Sequence, residues 1–147
     1  MEPHYYNVNV SWESDRKGKL TSPELKTAIE VATPPQFPKG MEGIWSPEHL
    51  FTAAVSSCLM TTFLSIAENS KLDFKSFSCE SKGKIEQIEG KFLMTEVILE
   101  PTLVITNEAD RGKAERILHK SEAACLISNS VKAKVTMIPT IKVLVAA

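Results

Sequence analysis

Cys58 and Cys125 are the side chains of this sequence best suited to covalent chemistry. A thiolate can attack the O–O bond of a peroxide and become a sulfenic acid, and a second thiol can condense with that acid to a disulfide. Each cysteine falls on the inward side of an expected helix, so the two could face each other, one attacking and the other resolving. Free cysteine titrates near ~8.5 and only the thiolate reacts. Cys58 lies too far into its helix to gain from the dipole, which fades within a turn, so it calls for a cation. Arg16 is the candidate, because it is the only arginine before Arg111 and lies in a polar turn. A carboxylate such as Glu48 could fix its guanidinium through bidentate hydrogen bonds. Each residue also has a plainer role, which is the better reading when it is taken singly. Buried cysteine packs like a small hydrophobe, Arg16 suits a solvated turn, and Glu48 suits the positive end of a helix. Cys79 follows strand alternation inward and is expected only to pack. His49 and His119 read as surface or packing residues, and His4 lies near a terminus.

These residues need elements to position them. Tyr6, Val8, Val10 and Trp12 alternate with polar residues, which predicts a half-buried strand. The cluster Glu13 to Gly18 predicts a turn, and the alternation of Leu25, Thr27, Ile29 and Val31 a further strand of an antiparallel meander. Pro34, Pro35 and Pro38 make the next stretch a loop. Ser46 can cap a helix that Pro47 and Glu48 begin and that runs to Glu68 or Asn69. Its apolar residues surround the wheel instead of forming a stripe, which predicts burial on all sides. In so short a chain that implies a second subunit over one side. Phe74 to Ile88 and Lys91 to Thr106 read as a hairpin turning at Glu89-Gly90. Asn107 caps a second helix whose inward face carries Ile117, Leu118, Ser121, Ala124 and Cys125. Ser128-Asn129-Ser130 interrupts, Val131 to Met137 begins a last strand, and Ile141 to Val145 extends or pairs with it. The fold class is α+β, as one domain over 1–147.

The 147 residues hold 17 Lys and Arg against 18 Asp and Glu, a net charge of −1, so no electrostatic excess favours nucleic acid or an anionic membrane. His49 to Ala67 is uncharged over 19 residues, but seven of them are polar and the flanks are Glu48 and Glu68. A core helix is the expectation, not a membrane span. Met1 to Tyr6 has neither the basic nor the apolar part of a secretory leader. A cytoplasmic location follows as an expectation, and there a disulfide would be transient and catalytic. Three scattered cysteines without C-x-x-C or paired histidines predict no metal site, and no cofactor is expected.

The motifs then join. Ser46-Pro47-Glu48-His49-Leu50 through Ser57-Cys58 resembles the central-helix signature of the OsmC/Ohr family, the osmotically inducible and organic-hydroperoxide-resistance proteins, in its OsmC-like branch. That signature runs N-P-E-x-L to a cysteine ten residues after the glutamate, as from Glu48 to Cys58. Ala124-Cys125-Leu126-Ile127-Ser128-Asn129 resembles the family's C-P-x-S-N, and Asp15-Arg16-Lys17-Gly18-Lys19 its N-terminal basic turn. Ser46 replaces Asn and Leu126 replaces Pro. The resemblance implies an OsmC-like fold and an intertwined homodimer. It also implies a thiol-dependent peroxidase for small organic hydroperoxides and, more weakly, hydrogen peroxide. Cys58 would be peroxidatic and Cys125 resolving, with Arg16 and Glu48 activating the thiolate; Lys17 or Lys19 could stand for Arg16. Dithiols, in one branch protein-bound dihydrolipoamide, would be the reductant. The competing reading is a non-catalytic redox sensor or ligand-binding protein on the same fold.

Helix geometry adds a constraint. Ten residues along a straight helix separate Glu48 from Cys58 by about 15 Å and turn them roughly 80° apart. With no Pro or Gly from Leu50 to Ser57 to break the helix, Glu48 is expected to serve the Cys58 of another subunit.

Overall fold

The computed structural model describes residues 1–144. They fall into two units, Met1–Leu50 and a second from Phe51 on. The first unit is the expected meander: β1 (Asn9–Ser14), β2 (Lys17–Ser22) and β3 (Leu25–Ala32), antiparallel in that order. The polar cluster at Glu13 to Gly18 is not one long turn. Asp15, at φ 48, lets the chain reverse within two residues, and a strand the sequence reading left unnamed starts at Lys17. Gly18 is required there, since a Cβ would stand 2.6 Å from the Ser11 carbonyl oxygen of the paired strand. β1 is not half-buried as expected: all six residues are exposed, with Val10 at 69% and Trp12 at 77%. Its apolar face has nothing over it within the unit.

Helix α1 runs unbroken from Pro47 to Asn69 and, from Phe51 on, belongs to the second unit. There β4 (Ser76–Ile88) and β5 (Lys91–Ile105) form the predicted hairpin, turned by Glu89 at φ 51 and Gly90 at φ 81. The positive φ at both positions matches the twist of the strands they join. Asn107 caps a single 3-10 turn, Glu108–Asp110, that leads into α2 (Arg111–Ala124). This helix is the crossover that lets β6 (Lys134–Met137) and β7 (Thr140–Val143) both pair parallel with β5. Val145, expected in that last strand, lies outside the described residues.

The core lies on one face of this sheet. Val97, Leu99, Pro101, Leu103 and Ile105 alternate inward along β5. Val55 and Leu59 of α1 meet Val97 and Leu99, while Phe63 and Ala67 meet Leu103, Ile105, Ala114 and Leu118. Within one chain α1 is buried on one side, the sequence having called for a second subunit over the other. Only the stripe Val55, Leu59, Phe63 and Ala67 is buried, and Met60 and Leu64 stand 38% and 41% exposed. The sheet covers one face of the helix, and Met60 and Leu64 lie outside that face. α1 is the one described helix long and apolar enough to cross a membrane by length and composition, and its buried stripe packs on the sheet. On α2 the inward face is Ala114, Ile117, Leu118 and Ser121, and Ala124, expected inward, is exposed because the helix ends there.

Phe63 is the keystone of this core, fully buried and stacked on Phe77 at 4.9 Å, with Phe74 edge-on at 5.1 Å. Phe63→Ala should cost roughly 3–5 kcal/mol, read as a lowered denaturation midpoint in urea. A loss under about 1 kcal/mol would mean that the cavity collapses freely.

Candidate active site

The second unit brings Cys58 and Cys125 together. Cys58 lies in the middle of α1 beside the Val55–Leu59 stripe, partly exposed, and Cys125 is fully buried just past the end of α2. Both are free thiols, close enough that each shifts the titration of the other. Thr62, one helical turn beyond Cys58, places its hydroxyl 3.8 Å from the Cys58 sulfur. The turn after Cys125 completes the surroundings. Asn129 N–H donates to the Cys125 carbonyl at 3.0 Å, and Ser130 N–H to that of Ile127 at 2.9 Å.

The two thiols are driven apart electrostatically. Burial pushes Cys58 up, but the Ile127 N–H, the Cys125 thiol, the Thr62 hydroxyl and the Leu126 N–H together bring it below the ordinary thiol value. Burial also pushes Cys125 up and wins there, reinforced by its bond to Cys58 and offset in part by Ser128. The pair therefore loses its first proton from Cys58 and keeps the second on Cys125. None of the groups that lower Cys58 is a cation. Within one chain, hydrogen-bond donors supply the lowering.

Cys79 stands apart in chemistry. It packs against the Val55–Leu59 cluster and its sulfur lies 3.5 Å from the Ser81 hydroxyl. Burial pushes its thiol up.

Arg16 and Glu48 belong to the first unit. Arg16 occupies the β1–β2 turn, where the Trp12 indole N–H closes on the Asp15 carbonyl at 3.0 Å and the Arg16 carbonyl accepts from Thr33 N–H at 3.2 Å. Its side chain and Glu48 line one open pocket of about 380 Å³ with Thr33, Pro34, Phe37 and Pro47. Lys17 lies 3.9 Å from Glu30 and Lys19 3.7 Å from Glu13, each beside a carboxylate on a neighbouring strand. Glu48 is held in the first turn of α1 by the expected cap. Ser46, completely buried, accepts from His49 N–H at 3.1 Å, and its hydroxyl sits 2.6 Å from His49 Nδ1.

Sequence reasoning missed Thr62 and the backbone donors at Leu126 and Ile127. Thr62 was findable, four residues after Cys58 on one helix face. The N–H groups carry no side-chain signature; their one trace is that residue 126 is not proline. Among the described residues no group of three or more His, Cys, Asp or Glu could hold a metal ion.

The fold is mixed α+β, with Cys58 on α1 and Cys125 just past α2 as neighbouring free thiols. The model of the OsmC-like protein family matches residues 40–139, and the chain belongs to that family. The matched span includes Glu48, Cys58 and Cys125 and begins beyond Arg16. The uncharacterized protein YmaD of Bacillus subtilis is 26% identical over 145 residues, 93% of each chain. An OsmC-like protein of unknown function from Vibrio cholerae is 25% identical with a TM-score of 0.84, over 93% of this chain and 99% of that one. An organic hydroperoxide resistance protein from Elizabethkingia anophelis shares the fold at a TM-score of 0.74 and 21% identity, over 97% of this chain and 100% of that one.

Proposed function

We propose that this protein is a thiol-dependent peroxidase that reduces organic hydroperoxides and, more weakly, hydrogen peroxide. What supports the reading is the pair of neighbouring free thiols, with hydrogen-bond donors lowering Cys58 and burial raising Cys125. The Cys58 thiolate attacks the terminal oxygen of ROOH, the O–O bond breaks, and the alkoxide leaves and takes up a proton as ROH. Sulfur has given up two electrons and become a sulfenic acid. The Cys125 thiol then displaces hydroxide from that sulfur, its proton completes a water molecule, and a Cys58–Cys125 disulfide remains. A small dithiol, such as dihydrolipoamide, reduces it through a mixed disulfide and leaves as its own cyclic disulfide.

Arg16, oriented by Glu48, polarises the peroxide in this scheme. The exposed side of α1 and the exposed apolar face of β1 support a homodimer in which a second copy covers them. Three free thiols suit the reducing cytosol.

Turnover tests the function. With excess dihydrolipoamide, cumene or t-butyl hydroperoxide should be consumed over many cycles, faster than hydrogen peroxide, and monothiols should support it poorly. One equivalent of peroxide consumed per chain, with no further cycles under any thiol, would instead make the pair a redox sensor.

A further inference from the structure

The stretch between β3 and α1 is not a slack connection. Thr33 N–H donates to the Arg16 carbonyl at 3.2 Å, and the Thr33 carbonyl accepts from Met41 N–H at 2.9 Å. Between those two points the chain closes a loop of turns. Phe37 N–H donates to the Pro34 carbonyl at 3.1 Å and Gly40 N–H to that of Phe37 at 3.0 Å. Further on, the Trp45 carbonyl accepts from Ala32 N–H at 2.8 Å, so the far end of the segment is tied to β3 as well. Pro34, Pro35 and Pro38 fix φ at three positions, which lowers the entropy lost on closing the loop. Closure has a steric condition at Gly40. A Cβ there would stand against the Pro34 carbonyl oxygen and 2.8 Å from the Pro35 Cα, backbone atoms that cannot swing aside. Lys39, just before it, takes φ 63, the left-handed region that a Cβ disfavours. The loop supplies Thr33, Pro34, Phe37 and Pro38 to the open pocket that Arg16 and Glu48 line.

We propose that residues 33–41 form a brace for the turn that carries Arg16, and that Gly40 is a positioning residue because glycine alone lets the brace close. The brace rests on the role proposed above for Arg16 and deepens it. Its path is short and made of backbone: Gly40 permits the closed loop, the loop holds Thr33, and Thr33 holds the Arg16 carbonyl. On the other side of the same residue the Trp12 indole N–H donates to the Asp15 carbonyl at 3.0 Å. The peptide before the Arg16 Cα and the peptide after it are therefore both held. A guanidinium carried on a fixed Cα loses less freedom when it engages a peroxide oxygen than one on a slack turn.

Hydrogen exchange followed by NMR reads the brace without peroxide. In the parent chain, where no variant has to fold, the Thr33 and Met41 amides should exchange slowly. Gly40→Ala should speed both by roughly tenfold or more while amides of the β2–β3 ladder keep their rates, the mark of a local opening. Lys39→Asn, which accepts the left-handed backbone, should match the parent. Turnover reads the consequence for Arg16. Gly40→Ala should lower kcat/KM for cumene hydroperoxide by about tenfold to a hundredfold, as an ångström-scale misplacement does. In an Arg16→Ala background the same substitution should lower it by less than about twofold, because the side chain it misplaces is gone. A merely structural role would give equal losses in both backgrounds. Parent amides at Thr33 and Met41 that exchange as fast as an open loop, a folded Gly40→Ala with parental exchange at Thr33, or equal losses in the two backgrounds would each overturn the proposal. A chain without turnover would sink the proposed activity, and an Arg16→Ala chain that keeps all of it would sink the role of Arg16. In either case the exchange rates still decide the brace.

Discussion

Cys58→Ser should reduce peroxide consumption to the uncatalysed background, while Cys79→Ser leaves it nearly unchanged. The difference follows from their surroundings. Hydrogen-bond donors hold Cys58 below the ordinary thiol value, whereas burial holds Cys79 above it, and the thiolate is the nucleophile. A serine hydroxyl in place of Cys58 stays protonated at any pH the fold tolerates and has no base beside it. Cys125→Ser should give a third phenotype: one rapid oxidation, then arrest with sulfenic acid on Cys58, trapped by dimedone. The initial rate should survive in part, since Cys125 contributes one of four donors to the Cys58 sulfur. The sign of the pH dependence is fixed as well. Alkylation and first-turnover rates should rise as pH climbs through the lowered Cys58 value and level off at a lower pH than those of Cys79, whose thiol is raised. Mass spectrometry after one equivalent of peroxide should find Cys58 joined to Cys125 within one chain. A dominant bridge to Cys79, or a Cys58→Ser chain that still turns over, would overturn the assignment.

The sequence made much of this legible because several local signals agree. Ser46, Pro47 and Glu48 mark the start of α1, and the structure begins the helix at Pro47 with Ser46 as its cap. Glu89-Gly90 marks the hairpin, and both residues take the positive φ that such a turn needs. What escaped has physical reasons. β2 begins with Lys17-Gly18-Lys19, polar residues whose strand is set by pairing on both sides and not by alternation. Periodicity reports where the apolar residues of α1 lie, and one chain covers only the stripe Val55, Leu59, Phe63 and Ala67. The thiol contact could be anticipated from two inward-facing cysteines, but the N–H donors that acidify Cys58 belong to the backbone, which every residue but proline shares.

Chains carrying Glu48→Ala and chains carrying Cys58→Ser should each be almost inactive alone and should recover activity when refolded together. α1 runs from Pro47 to Asn69 without interruption, so ten residues place Glu48 and Cys58 about 15 Å apart along its axis. A glutamate side chain cannot close that distance on its own helix, so a site that uses both residues draws one of them from a second copy. The unpartnered surface agrees with this arrangement. Met60 and Leu64 on α1, and Val8, Val10 and Trp12 in and before β1, are apolar residues left 38% to 77% exposed, and apolar area of this kind marks an association surface. In a symmetric dimer the same contact occurs twice, so each wild-type dimer holds two sites. A heterodimer of the two variants holds one intact site, built from the Cys58 of one chain and the Glu48 of the other. Random pairing makes half the dimers mixed, so recovery should approach about a quarter of the wild-type activity. The same stock carrying both substitutions in one chain, refolded with itself, should recover nothing. No recovery from folded mixed dimers would place Glu48 and Cys58 in independent roles, and a fully active monomer in solution would remove the need for a second copy.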